Sequence, residues 1–154
     1  MAEETEALIS TERPRIWRYT YAAGPVRSRF LLELKDNQRI MGTRCPSCNR
    51  VYVPAKPTCV ICFGKLDEWV EVSNRGTVLT YTMIAQPSPS HKRAVPFIYG
   101  IIQLDGADTG LTHFLGEVDH QDLRVGMRVE AVFQEAREGS ILDIKYFRPF
   151  SESI

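Results

Sequence analysis

No apolar run in this sequence approaches the roughly 20 residues that a bilayer-spanning helix needs. The opening residues, Met1-Ala-Glu-Glu-Thr-Glu, are acidic and lack the basic start and apolar stretch of a secretory signal. The expected compartment is therefore the cytoplasm, with no membrane partner. In that reducing setting, cysteines serve as metal ligands or catalysts more often than as disulfides. Histidine is scarce too. His91 lies in a Pro-Ser loop, His113 in a strand-like run and His120 in a polar turn, and none stands in a metal, nucleophile–base or phosphate-binding motif. Ser88 and Ser90 have no nucleophile elbow around them, and the carboxylates show no recognisable pairing. These absences favour binding over catalysis.

Net charge is also missing, since 19 Lys and Arg balance 19 Asp and Glu. The balance hides a division. Residues 13–56 carry ten Lys or Arg against two acids, a surplus of eight positive charges, while residues 57–154 carry nine against thirteen acids. Single-stranded nucleic-acid binders built on small barrels track phosphates with a basic groove. The strand-rich part of this chain is acidic, which argues against that role and leaves it as the alternative reading.

What is present is a patterned, 44% hydrophobic chain long enough for one domain and a small appendage. Residues 1–27 read as a tail and interaction arm, 28–43 as a short helix and linker, 44–68 as a turn-rich cysteine segment, 69–150 as a strand-rich domain and 151–154 as a tail. Ser28 is placed to cap a helix in which Phe30, Leu31 and Leu34 share a face. From Trp69 onward β-branched and aromatic residues alternate with polar ones between turn signals. Leu79, Tyr81 and Met83 are expected on one face of the first long strand, and Leu142, Ile144 and Tyr146 inward on the last. Five such strands predict a mainly β fold: an N-terminal extension and short helix, a zinc ribbon, then a five-stranded OB-type barrel.

The four cysteines form two pairs, Cys45-Pro-Ser-Cys48 and Cys59-Val-Ile-Cys62, with ten residues between them. A two-residue gap lets both thiolates of a knuckle face one tetrahedral ion, and the intervening chain returns as a ribbon. Asn49 and Gly64 follow the knuckles, where the chain commonly needs a left-handed residue. Four protein ligands leave no open coordination position, so one structural Zn²⁺ per chain is expected. Iron would accept the same ligands.

Arg44-Cys-Pro-Ser-Cys-Asn-Arg-Val-Tyr-Val-Pro54, Cys59-Val-Ile-Cys62, Gly76-Thr-Val-Leu-Thr-Tyr-Thr82, Pro96-Phe-Ile-Tyr-Gly-Ile-Ile-Gln-Leu-Asp-Gly106 and Leu123-Arg-Val-Gly-Met-Arg-Val129 occur in unbroken order between about Ser28 and Phe150. This combination resembles the rubredoxin-like zinc-ribbon plus OB-fold family associated with acyl-CoA enzymes. The segments Trp17–Pro25 and Ser28–Leu31 look like its thiolase-associated branch. The resemblance implies a non-catalytic subunit in a hetero-oligomer with a thiolase-type catalytic chain, and a barrel that helps form a channel for CoA or acyl-CoA. Hydroxymethylglutaryl-CoA synthases and enoyl-CoA hydratases are the other partners it implies.

Two groups of residues suit that role. Lys92 and Arg93 could meet CoA phosphates beside Phe97 and Tyr99, whose rings would line an acyl or adenine surface. In the arm, Arg15, Trp17, Arg18, Tyr19 and Tyr21 combine the residue types enriched at interface hot spots, and are expected to bind the partner.

Overall fold

The chain is described from a computed structural model over residues 20–91 and 93–150. Its first element, α1 (Pro25–Leu32), begins one turn earlier than expected. Proline is pre-organised for the first helical position and has no N–H to leave unpaired there. Gly24 supplies the turn at φ 77°, and the Ser28 N–H donates to the Gly24 carbonyl at 3.0 Å. Ser28 thus lies inside the helix instead of capping it. A π-helical turn over Glu33–Asn37 follows and ends at Gln38 in the left-handed conformation. Phe30 and Leu34 are buried and Leu31 packs beside them, the expected shared face.

Three short strands, β1 (Ile40–Arg44), β2 (Val51–Tyr52) and β3 (Glu68–Val72), form an antiparallel sheet in the order β2-β1-β3. The stretch read as a linker is therefore the sheet's central strand. Gly42 is required there: a Cβ would lie 2.9 Å from both the Tyr52 carbonyl oxygen and Val51 Cγ1.

The remaining strands, β4 (Arg75–Ile84), β5 (Phe97–Leu104), β6 (Gly110–Leu115), β7 (Arg128–Phe133) and β8 (Ile144–Pro149), close into a barrel in the order β4-β5-β6-β8-β7. Only β6 and β8 run parallel; β4 closes the ring against β7. This is the expected five-stranded OB-type barrel.

Two bulges displace side chains from the faces that simple alternation assigns them. In β4 the register slips at Leu79, so Thr80 opposes Ile101 and Tyr81 opposes Gly100. Leu79 therefore lies off the face of Tyr81 and Met83, a correction to the single face expected. In β8 the slip falls at Lys145, with Val132 opposite Tyr146 and Phe133 opposite Ile144. Ile144 and Phe147 are fully buried, Tyr146 is half-buried, and Leu142 is exposed in a 3₁₀ turn (Ile141–Asp143). Of the three residues expected inward, only Ile144 is in the core.

One core joins all parts. Phe30 and Leu34 from the helical segment, Ile40, Val51 and Val72 from the sheet, and Val78, Ile102, Val129 and Phe147 from the barrel pack in a single cluster. The loop between β5 and β6 reinforces this union. Asp108 and Thr109 hydrogen-bond along the backbone of Val51 and Val53, extending the small sheet with a piece of the barrel.

Candidate metal centre and ligand-facing pocket

Each cysteine pair sits on a tight turn, and the two turns repeat one hydrogen-bond pattern. The Cys45 N–H donates to the Arg50 carbonyl at 2.9 Å, and the Asn49 N–H to the Cys45 carbonyl at 2.8 Å. At the second turn Cys59 donates to Gly64 at 2.9 Å and Phe63 to Cys59 at 3.1 Å. The left-handed residues are Asn49 (φ 55°) and Phe63 (φ 58°). Gly64, expected to fill that role, instead occupies the position equivalent to Arg50, one residue later.

The knuckles bring all four sulfurs within 4.8 Å of one another. Cys45 Sγ lies 3.5 Å from Cys62 Sγ, and Cys59 Sγ 3.9 Å from Cys48 Sγ. A tetrahedral ion with metal–sulfur bonds of about 2.3 Å holds its sulfurs about 3.8 Å apart, so the cluster matches a tetrathiolate zinc site in donor type and spacing. The Cys48 and Ile61 N–H groups point at Cys45 Sγ (3.3 Å) and Cys59 Sγ (3.4 Å). The Tyr52 hydroxyl lies 3.2 Å from Cys59 Sγ. Cys45 and Cys59 are buried, Cys48 is intermediate and Cys62 is exposed.

As free thiols these groups are strongly unequal. Hydrogen bonds from the Cys62 backbone and from Tyr52 lower Cys59 to about 6. A bond to the Cys62 sulfur, followed by desolvation, pushes Cys48 up to about 12. A divalent cation replaces these shared protons, which couples metal loading to proton release.

The second site surrounds the start of β5. Phe97 and Tyr99 meet Phe114 of β6: the Tyr99 and Phe114 rings stack at 4.5 Å, and Phe97 stands edge-on to both. His91 meets the Phe97 ring edge-on at 5.2 Å. The Arg93 guanidinium lies 3.9 Å above Phe114 and donates to the Lys145 carbonyl at 2.8 Å. Ser140, Ile141 and Leu142 complete a cavity of about 420 Å³. An adjoining apolar cavity of about 390 Å³ shares Tyr99, Phe114, Ile141 and Leu142.

The fold thus brings Arg93, Phe97 and Tyr99 together, while Lys92 lies outside the described residues. Sequence reading missed Phe114, which register places directly opposite Tyr99. It also missed the 3₁₀ turn, whose capping box at Ser140 and Asp143 is a legible signal in retrospect. His113 is buried beneath this cavity, between local partners: Nδ1 accepts from the Phe114 N–H at 2.9 Å and Nε2 donates to the Ile141 carbonyl at 3.0 Å. Of the arm, Arg15, Trp17, Arg18 and Tyr19 lie outside the described residues, and Tyr21 is exposed. Arg29 of α1 packs 4.4 Å over Trp69 of the same chain. Among the described residues, no helix is long and apolar enough to cross a membrane.

Two abutting domain profiles match this arrangement. The rubredoxin-like zinc ribbon domain of ChsH2 matches residues 32–68, and the C-terminal OB-fold domain of ChsH2 matches residues 69–134. The chain belongs to this zinc-ribbon plus OB-fold family. It is 28% identical, over 82% of its length and 94% of the relative's, to a DUF35 domain-containing scaffold protein of Pyrococcus furiosus. A scaffold protein of the same description from Methanocaldococcus jannaschii is 29% identical over 68% of this chain and 74% of its own. Among solved structures, the Ltp2-ChsH2(DUF35) aldolase superposes with a TM-score of 0.61 at 25% identity, covering 89% of this chain and 98% of that one. A DUF35 protein of unknown function from Sulfolobus solfataricus gives 0.58 at 29% identity, covering 71% and 78%.

Proposed function

We propose that this chain is a non-catalytic scaffold subunit that docks on a thiolase-type catalytic chain and helps enclose its acyl-CoA substrate. The observation that carries this reading is the division of labour within the fold. A closed four-sulfur centre, with no ligand position left over for chemistry, staples a ribbon to a barrel whose outer wall holds an aromatic cavity edged by Arg93. Ser90, His91 and Ser140 line that cavity, but among the described residues no hydrogen bond joins the imidazole to a serine hydroxyl, and His113 is spent on backbone partners. The relatives named as scaffold proteins support the same role. So do the segments Trp17–Pro25 and Ser28–Leu31, which resemble the thiolase-associated branch, where the small subunit of benzoylsuccinyl-CoA thiolase falls.

In this reading the catalytic Cys and His belong to the partner, and the reaction is CoA-dependent cleavage of a β-ketoacyl-CoA. This chain contributes one wall of the substrate channel, with Lys92 and Arg93 toward phosphate and Phe97, Tyr99 and Phe114 toward acyl group or adenine. The arm residues Arg15, Trp17, Arg18, Tyr19 and Tyr21 grip the partner in a cytoplasmic hetero-oligomer. An aldolase partner is the second reading, favoured by the likeness to the solved Ltp2-ChsH2(DUF35) aldolase.

Native mass spectrometry of the tagged, full-length chain recovered from its own cells distinguishes them. A thiolase in stoichiometric amount supports the first reading and an aldolase the second, while a chain recovered alone or with nucleic acid overturns both. Removing residues 1–19, which stops short of the Gly24–Pro25 helix start, is expected to weaken the complex by about 2 kcal/mol or more, the usual cost of losing an aromatic anchor. The isolated chain's melting temperature should stay the same.

A further inference from the structure

The four sulfurs are chemically alike but differently surrounded. Cys62 is exposed, whereas Cys59 is fully buried with Cys45, Tyr52 and Leu66 in a small apolar cluster. Tyr52 ends β2 with 1% of its surface exposed; its hydroxyl lies 3.2 Å from Cys59 Sγ and also takes a hydrogen bond from the Val60 backbone. A metal-bound sulfur carries no proton, so in the loaded centre the tyrosine O–H must be the donor.

Two effects oppose each other at that sulfur. Donation draws charge from the thiolate and weakens its bond to the cation. It also relieves the surplus negative charge of four thiolates on a divalent ion and fixes the direction of the sulfur lone pair. In a buried, apolar pocket the second effect dominates, because an unrelieved charge there is costly. Partners that orient metal ligands in this way typically raise affinity 10–100-fold.

We propose that Tyr52 is a positioning residue for the metal centre: its hydroxyl secures Cys59 as the last ligand to leave, so metal is lost and exchanged from the exposed Cys62 side. The inference rests on the tetrathiolate reading of the four cysteines. It also assigns a role to a buried tyrosine that lines neither aromatic cavity.

The test uses the full-length chain with Tyr52→Phe, which keeps the ring and removes the hydroxyl. The variant is expected to retain one metal per chain and to release it to excess chelator about tenfold faster than the parent. With Co²⁺ in the site, its sulfur-to-metal charge-transfer band should move to lower energy, a shift that lost packing alone would not produce. Should the variant fail to fold, the parent chain can be treated with limiting iodoacetamide during chelation and its cysteines mapped by mass spectrometry. Cys62 is expected to be labelled first and Cys59 last. Unchanged release and an unmoved band, or labelling of Cys59 as early as Cys62, overturns the proposal while leaving the metal centre standing. A freshly purified parent chain without metal overturns both.

Discussion

Asp108 and Val51 exchange hydrogen bonds in both directions: the Val51 N–H donates to Asp108 Oδ2 at 2.8 Å, and the Asp108 N–H donates to the Val51 carbonyl at 2.9 Å. One residue is in the barrel's β5–β6 loop and the other in the ribbon, 57 positions apart. Thr109 repeats the device on Val53 through its hydroxyl, and the Arg50 guanidinium reaches the Asp108 carbonyl. Ribbon and barrel are thereby fastened by polar contacts as well as by their shared core.

Asp108→Ala should therefore cost about 1–3 kcal/mol, the usual penalty for leaving a partly buried donor unpaired. Asp108→Asn keeps an acceptor oxygen and should cost less. Denaturant melts measure both, and amide exchange at Val51 and Val53 should accelerate in the alanine variant alone. Equal stability of all three chains would show that the core by itself joins the two parts.

Phe63 sets up a different expectation. It is 78% exposed and held at φ 58°, a conformation costing roughly 1–2 kcal/mol for a residue with a Cβ. Phe63→Gly loses little packing and should raise the isolated chain's stability by about 1 kcal/mol, read by denaturant midpoint at saturating zinc. A lower midpoint would mean that the ring makes contacts which stabilise the knuckle.

Both residues show where sequence reading ends. The cysteine pairs were legible because ligand spacing is dictated by the metal, and the strands because alternation follows from the pleat. The bulges at Leu79 and Lys145 were not, since each depends on the register against a neighbouring strand, which alternation within one strand does not report. Alternation carried through the bulge put Tyr146 in the core, where the structure has Phe147, and carried back into the 3₁₀ turn it put Leu142 there. Phe63 was passed over for Gly64 because residue preference points to glycine, whereas the hydrogen bonds of the knuckle decide the position. The pairing of Tyr99 with Phe114 lay beyond reach for the same reason as the bulges.

His113 makes stability depend on pH. Burial, the leading cause, holds its folded pKa below the ordinary value of 6.5; Arg93 adds to the effect and the hydrogen bond donated to the Ile141 carbonyl opposes it. The unfolded chain therefore takes up a proton that the folded chain refuses as pH falls through about 6.5, and stability declines from there until the folded imidazole itself protonates. Above that pH the contribution is fully present. Denaturant melts between pH 7.5 and about 5 should show this slope, and His113→Gln should flatten it. An identical slope in the variant would assign the proton to another group.

Arg93 tests the cavity. Arg93→Glu reverses the charge at its edge without touching the four cysteines. In the assembled complex it should raise KM for acyl-CoA by on the order of tenfold, or about 1.4 kcal/mol, with kcat nearly unchanged, the pattern of lost uniform binding. Zinc content should stay the same. An unaltered KM would place the CoA phosphates elsewhere.

The most direct measurement of the scaffold role is reconstitution. The purified chain, its purified partner and the two combined are each given a β-ketoacyl-CoA with free CoA, and thioester cleavage is followed. The expected result is no turnover by this chain, little by the partner and full activity only when they are combined. Turnover by this chain alone, or a partner equally active without it, would contradict the account.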